Sequence, residues 1–152
     1  MLKTISFEID EGDFVAVTPF VDGTSLATLV EIYERSKGYL DPAGGYGGLV
    51  PAYFNFGPLD KYFTGRNKAD YWASLNGIYL LGCACGEVGC WPLIASVSEQ
   101  DDKIIWDGFV QPFRRSRDYS EFGPFLFSRV QYEDAVDDLV ARLETIGTKS
   151  ST

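Results

Sequence analysis

The chain has 152 residues, of which 45% are hydrophobic and 15% aromatic, as expected for one globular domain with a well-filled core. Its 13 basic and 22 acidic residues give a net charge of −9, which disfavours binding to nucleic acid or to an anionic membrane. Histidine is absent, which excludes Ser-His-Asp and Cys-His catalytic sites and every zinc site that uses histidine. We therefore predict a single domain over residues 1–152, with a disordered tail at 148–152, and favour a protein that is not an enzyme.

The start of the chain and its cysteines indicate where the protein resides. Residues 2–9 alternate between apolar and polar side chains and contain no apolar signal core. No segment approaches the roughly 18 consecutive apolar residues of a membrane span. The three cysteines are an odd number, which fits poorly with a secreted disulfide framework. We expect a cytoplasmic protein whose thiols are reduced.

A hairpin and a helix are predicted in the N-terminal part. Alternation over 4–10 and a β-rich run over 14–21 indicate two paired strands, with Pro19 marking a strand end or a sheet edge. Ser25 begins a helix that Gly38 ends. The apolar face of this helix consists of Leu26, Leu29, Val30 and Tyr33. The opposite, polar face consists of Glu31, Glu34, Arg35 and Lys37.

Residues 41–58 are rich in glycine and proline, which break regular secondary structure. Aromatic side chains are interleaved with them, namely Tyr46, Tyr53, Phe54 and Phe56. No Gly-Lys-Ser/Thr follows the glycines, so a nucleotide-binding loop is disfavoured. Two interpretations remain: a covering loop held by its aromatics, or a recognition loop. A short helix is expected over 59–65.

Three strands, at 77–85, 90–99 and 103–110, are predicted to form a meander at the centre of the sheet, covered on both faces. A reversal at 86–89 would pair Cys85 with Cys90, Cys83 with Pro92, Leu81 with Ile94 and Tyr79 with Ser96. Because residues two apart share a face, the three cysteines would then lie on one face of the sheet. The main core would occupy the other face, with Leu80, Leu93, Val97, Ile104 and Trp106.

Four interpretations of Cys83, Cys85 and Cys90 remain open. The first is structural packing, since cytosolic thiols usually behave as small apolar side chains. The second is a zinc site with three thiolates and a fourth ligand such as Glu87, a distant aspartate or water. The third is a redox pair between Cys85 and Cys90, with Cys83 as the exchanging neighbour. The fourth is a nucleophile, which would need an arginine or lysine to lower its pKa.

The sequence from Gly82 to Pro92, GCACGEVGCWP, followed by IWDGF at 105–109, resembles a group of small bacterial proteins. The group shares a Cys-x-Cys-Gly-x-x-Gly-Cys pattern followed by a strand that contains tryptophan. No activity or ligand set is known for the group. The resemblance therefore implies a bacterial, cytosolic origin and no particular reaction.

The C-terminal part begins with a polar loop over 111–124 that carries Arg114, Arg115 and Arg117. These arginines would bind an anion or a carboxylate, or would belong to a solvated loop in which they pair with Asp118 and Glu121. A final strand is predicted over 125–130. A helix over 131–146, ended by Gly147, buries an apolar stripe formed by Tyr132, Ala135, Val136, Leu139, Val140, Leu143 and Ile146.

These elements predict an α+β fold, with an antiparallel sheet of about five or six strands, a central meander, and one helix from the N-terminal half and one at the C-terminus packed against it. We favour a protein-binding module, similar to an inhibitor or an immunity protein, whose protein partner is basic. Its expected binding loops carry Tyr46, Tyr53, Phe54, Phe56, Arg114, Arg115 and Arg117. The alternative is a thiol-centred protein that binds zinc or cycles a disulfide through Cys83, Cys85 and Cys90.

Overall fold

A computed structural model describes residues 2–11, 15–39, 46–50, 62–64, 78–83, 93–111 and 117–150. Over these residues the chain has the predicted α+β fold, with a three-stranded sheet, a five-stranded antiparallel sheet and helices in the N-terminal half and at the C-terminus. The strands are β1 Ile5–Glu11, β2 Val15–Val21, β3 Thr24–Ser25, β4 Tyr46–Gly47, β5 Ile78–Cys83, β6 Leu93–Gln100, β7 Lys103–Val110 and β8 Phe125–Ser128. The helices are α1 Leu26–Ser36 and α2 Arg129–Ser150.

Short bridges connect the two sheets on both sides. The sheet orders are β1-β2-β3 and β4-β5-β6-β7-β8. Leu49, just after β4, exchanges backbone hydrogen bonds of 2.7 and 2.8 Å with Val17 of β2. Lys3, just before β1, pairs in parallel with Phe127 of β8 and donates a 2.6 Å bond to the carbonyl of Leu126. The two sheets therefore curl around one core.

The core is aromatic and lies between the sheets and the helices. Trp106, Phe127 and Tyr132 contact one another, and the side chains of all three are fully buried. The Tyr132 hydroxyl donates to the carbonyl of Phe63 at 2.6 Å and accepts from the Trp106 indole at 3.0 Å. Four of the five predicted core residues of the meander are fully buried, and Val97 packs against them.

The central meander is confirmed, but its predicted register is wrong. Strand β5 pairs with β6 and β6 with β7, all antiparallel. Tyr79 pairs with Ile94 and Leu81 with Leu93, with an irregularity between the two pairs. Such a bulge adds a residue to one strand, and a shift of one residue reverses which face a side chain occupies. The predicted pairs of Tyr79 with Ser96 and Leu81 with Ile94 assumed an unbroken ladder.

Neighbouring side chains show that the meander is covered on both faces. Leu93 and Ile94 are consecutive in β6, which carries no extra residue at this point, so their side chains point to opposite faces of the sheet, and both are buried. This confirms the expectation from sequence that the meander is covered on both faces.

Pro19 lies two residues before the end of β2 at Val21, as one of the two predictions expected, although β2 is the middle strand of its sheet and not an edge strand. Its partner in the ladder is Phe7. The even-numbered residues of β1 form the hydrogen bonds toward β2, as the bond from the Asp22 amide to the Thr4 carbonyl shows. Because Pro19 stands opposite an odd-numbered residue, its missing N–H removes no bond of that ladder.

Both ends of α1 follow local rules. Ser25 caps α1 by accepting a 3.2 Å bond from the Ala27 amide. At the other end Gly38, with φ +78°, allows the Tyr39 amide to reach the Glu34 carbonyl at 2.8 Å, as expected for a glycine C-cap. Helix α2 begins at Arg129, so β8 is shorter than predicted.

Helix α2 continues through Gly147 to Ser150, so the predicted end at Gly147 is wrong. Within a helix a glycine costs only about 1 kcal/mol relative to alanine, which the neighbouring turns can offset. Residues 151–152 of the predicted tail lie outside the described part of the chain. Neither α1 nor α2 combines the length with the apolar character that crossing a lipid bilayer requires.

Side chains of α2 cover the outer edge of β1. The side-chain amide of Gln131 accepts a 3.0 Å hydrogen bond from the Ile5 N–H and donates a 2.7 Å bond to the Ile5 carbonyl, as the backbone of a neighbouring strand would. Arg142 donates to the Phe7 carbonyl at 2.8 Å. These bonds satisfy backbone groups that would otherwise form an exposed strand edge.

Candidate functional site

The most unusual group in the described structure is a buried carboxylate near the end of α1. Glu34 was predicted on the solvated face of this helix, and its side chain is instead 0% exposed. The prediction was wrong because segments 46–50 and 117–122 pack against this part of the helix. An unpaired charge in such a place would cost several kcal/mol, so its partners decide whether it is tolerated.

Three donors from distant parts of the chain reach the same oxygen of Glu34. The hydroxyl of Tyr46 donates to Oε2 at 2.7 Å, and that of Tyr119 donates at 2.6 Å. Nη1 of Arg117 donates to it at 3.3 Å and forms an ion pair. We call Glu34, Tyr46, Arg117 and Tyr119 the Glu34 cluster. Charge-assisted bonds of this kind are roughly twice as strong as neutral ones and compensate for the buried charge.

The guanidinium of Arg117 has a second contact, with an aromatic ring. It lies 5.2 Å from the centroid of Tyr39, in a cation–π arrangement. The hydroxyl of Tyr39 accepts a 2.8 Å bond from the Asp118 amide. With its side chain only 9% exposed, Arg117 sits between a carboxylate and a ring.

Further contacts hold residues 117–122 on α1. The Tyr33 hydroxyl donates to the Asp118 carbonyl at 2.8 Å, and the Tyr33 ring stacks on Tyr119 with centroids 5.7 Å apart. Phe122 contacts the same Tyr33 ring at 5.3 Å. Lys37 forms an ion pair with Glu121. The segment is therefore attached to α1 by charge, hydrogen bonds and ring packing together.

Burial and the carboxylate keep the two phenols of the cluster protonated. Burial, followed by the bond to Glu34, raises the pKa of Tyr119 to about 12. Burial, followed by the bonds to Tyr119 and Glu34, also raises the pKa of Tyr46. Both hydroxyls are thus donors at neutral pH, which is what a buried carboxylate requires. The arrangement holds chain segments in place and presents no exposed reactive group.

Two of the predicted binding residues meet in this cluster. Tyr46 and Arg117, assigned from sequence to two different loops, both bond to Glu34, and both side chains are buried. Arg117 therefore binds a carboxylate, as one interpretation proposed, and the carboxylate belongs to α1 of the same chain. The solvated-loop interpretation, in which the partners would be Asp118 and Glu121, does not describe this arginine.

The segment that carries Tyr46 is more regular than its sequence indicated. Residues Tyr46 and Gly47 form β4, which pairs antiparallel with β5 in the register Tyr46–Cys83 and Gly47–Gly82. The expectation that no regular element occurs over 41–58 was wrong at this point, because an edge strand of two residues tolerates glycine. The next residue, Gly48, lies where the chain crosses β2.

Other predicted site residues lie outside the described part of the chain. These are Tyr53, Phe54, Phe56, Cys85, Cys90, Arg114 and Arg115. Cys83 is the last residue of β5, and only its backbone is described. Within the described residues no three histidine, cysteine, aspartate or glutamate side chains come together as metal ligands would. The zinc and disulfide interpretations stay predictions.

A signal for Glu34 was present in the sequence. Leu26, Val30 and Glu34 are spaced by four residues, so they lie on one face of α1, and all three are fully buried. A charged residue that continues an apolar row is expected either at the solvated end of that row or beside a buried partner. To distinguish the solvated from the buried case, one must know which distant segments pack against this face of α1.

Comparisons with known proteins add no relative, since no protein family model, curated protein or solved structure matches the chain.

Proposed function

We propose that the protein is a non-enzymatic module that binds a protein partner with a basic surface, in the manner of an inhibitor or immunity protein. The observation that carries this proposal is the distribution of charge over the described surface. Within the described residues, exposed acidic side chains recur along α2 and β1, and most basic side chains form ion pairs within the chain.

In the part of the chain that the structure describes, basic residues contribute little unpaired positive charge to the surface. Six of them lie within 4.0 Å of a carboxylate: Lys3, Arg35, Lys37, Arg117, Arg129 and Arg142. Since each of these charges is locally balanced, the excess that gives the net charge of −9 belongs to other acidic residues. A surface field of one sign accelerates encounter with a partner of opposite charge.

Part of this excess lies on α2 and on β1, which pack against each other. The inner side of α2 is apolar, with Tyr132, Val136 and Leu139 buried, and its outer side is acidic. Arg142 joins the helix to β1, because it donates to the Phe7 carbonyl and pairs with Asp138 at 2.9 Å. We define the acidic face by four exposed acidic residues of these two elements: Glu8, Asp10, Asp134 and Asp137.

The fold also supports a binding role over a catalytic one, since the described titratable cluster around Glu34 is closed to solvent. We further propose a cytoplasmic location, on the ground that three cysteines do not form a closed set of disulfides. Within the cytoplasm such thiols stay reduced.

The test uses two variants with the same change in net charge. Asp134→Asn/Asp137→Asn neutralises part of the acidic face, and Asp101→Asn/Asp107→Asn neutralises two exposed acids elsewhere. A partner isolated from the source organism with the wild-type chain is then purified, and its affinity for all three proteins is measured at two salt concentrations. We expect the affinity for the partner to fall about tenfold in the first variant, with a weaker salt dependence, and to change little in the second. Equal affinities for the two variants, or a partner without a basic surface, would contradict the proposal.

A further inference from the structure

We propose that Glu34 is a positioning residue that couples two segments, 46–50 and 117–122, so that the loss of a donor to Glu34 from one segment loosens the other. The two segments are far apart in the sequence, and each has its own attachments to the rest of the fold. The carboxylate is the group that both share.

The coupling arises because donors from both segments jointly stabilise one buried charge. Tyr46 and Tyr119 donate to Glu34 Oε2 at 2.7 and 2.6 Å, and the two phenols also interact with each other. Because the carboxylate is buried, removing one donor leaves its charge less well compensated, and this cost is relieved when the other segment detaches and water reaches Glu34. Loss of a hydroxyl from one segment therefore weakens the attachment of the other segment.

Each segment would stay in place without the cluster, which makes coupling distinguishable from simple unfolding. Residues 46–50 are also held by the pairing of β4 with β5 and by the two bonds between Leu49 and Val17. Residues 117–122 are also held by Tyr33 and by the ion pair of Lys37 with Glu121. Loss of one phenol should loosen these segments and leave the core intact.

The consequence for recognition rests on the proposed function. Segment 46–50 leads directly into the stretch with Tyr53, Phe54 and Phe56, and 117–122 directly follows the stretch with Arg114 and Arg115. A partner that contacts one of the two segments would stabilise the other through Glu34, and a second contact there would then cost less conformational entropy.

The experiment is amide hydrogen exchange on the full chain, with the wild type and single-atom deletions. Tyr46→Phe should accelerate exchange in 117–122, for instance at the Phe122 amide, by about tenfold, since a bond to a charged group is lost. Tyr119→Phe should accelerate exchange at the Leu49 amide. Glu34→Gln should affect both segments. Amides of β6 and β7 should change by less than about twofold in each variant.

Tyr33→Phe is the matched control, because it removes a hydrogen bond that a phenol of α1 donates to 117–122 and leaves the donors to Glu34 in place. It should loosen 117–122 and leave 46–50 unchanged. The proposal is overturned if Tyr46→Phe affects only its own segment, or if exchange rises equally over the whole chain, as a purely structural role predicts. No partner is needed for these measurements, so their failure is independent of the binding test on the acidic face.

Discussion

The hydroxyl of Tyr119 donates a 2.6 Å hydrogen bond to the carboxylate of Glu34, although 85 residues separate the two in the chain. The same oxygen receives the hydroxyl of Tyr46 and the guanidinium of Arg117. Three segments that are separated along the chain are thereby joined at one buried charge. Most of the predictions below follow from such contacts between distant residues.

Removing the carboxylate should be far more costly than removing an exposed one. Glu34→Ala leaves the Arg117 charge and two phenols without their acceptor, so we expect a loss of about 3–5 kcal/mol in the free energy of unfolding. Glu31→Ala breaks an exposed i,i+4 pair with Arg35 and should cost less than about 0.5 kcal/mol. Urea denaturation of both variants checks the difference. Similar losses for the two would mean that Glu34 is not compensated as described.

Gly48 is expected to tolerate no side chain. A Cβ at this position would lie 2.7 Å from Thr18 Oγ1 and 2.8 Å from the Val17 carbonyl oxygen. Because the second atom belongs to the backbone of β2, Gly48→Ala should destabilise the protein by about 1–3 kcal/mol.

Gly38→Ala is a useful comparison for this variant. Its φ of +78° is unfavourable for alanine, but a Cβ there would meet no atom within 4 Å. It should cost about 1 kcal/mol, from the backbone conformation alone. Thermal unfolding of the two variants separates steric overlap from backbone strain, and a smaller loss for Gly48→Ala would contradict the close approach of 46–50 to β2.

The side chain of Gln131 should contribute to stability, because it bonds to the edge of β1 where no neighbouring strand does. Gln131→Ala removes both bonds to Ile5 and should cost about 1–3 kcal/mol, at roughly 0.5–1.5 kcal/mol a bond. Exchange of the Ile5 amide should rise with it. Asp137→Ala, on the exposed side of the same helix, should change stability by less than about 0.5 kcal/mol. An unchanged Ile5 amide would show that the edge of β1 is protected in another way.

Alkaline pH should destabilise the protein through the buried phenols. The pKa of Tyr119 is raised from 10.0 to about 12 in the folded chain, so between these values the unfolded state loses protons that the folded state keeps. Stability is therefore complete below pH 10 and falls as the pH rises toward 12. Tyr119→Phe should reduce this slope, as measured by urea denaturation at several pH values. An equal slope in the variant would contradict the raised pKa.

The thiol-centred alternative can be tested directly. Under the proposed function the purified native protein should contain no stoichiometric zinc, and mild oxidation should form no reversible disulfide among Cys83, Cys85 and Cys90. Metal analysis and thiol titration before and after oxidation provide the measurements. One zinc per chain, or a reversible loss of two thiols, would favour the alternative, and replacement of Cys85 by serine would then abolish either effect.

Local patterns were sufficient for most of the elements. The alternation in β1, the serine cap and glycine end of α1, and the apolar stripe of α2 all appear where their periodicity placed them. The register between β5 and β6 was not accessible in this way, because a bulge near Tyr79 changes the pairing without a distinct local signal.

The amino-acid sequence by itself determined the α+β class, the hairpin, the meander and the two helices, because each depends on side-chain periodicity over a few consecutive residues. The tertiary structure alone decided that Glu34 is buried, that Arg117 is its partner and that Gln131 covers the edge of β1. These outcomes depend on which distant segments share a water-free space. A charge near a helix end is solvated or buried according to what packs over it, and that depends on the whole chain.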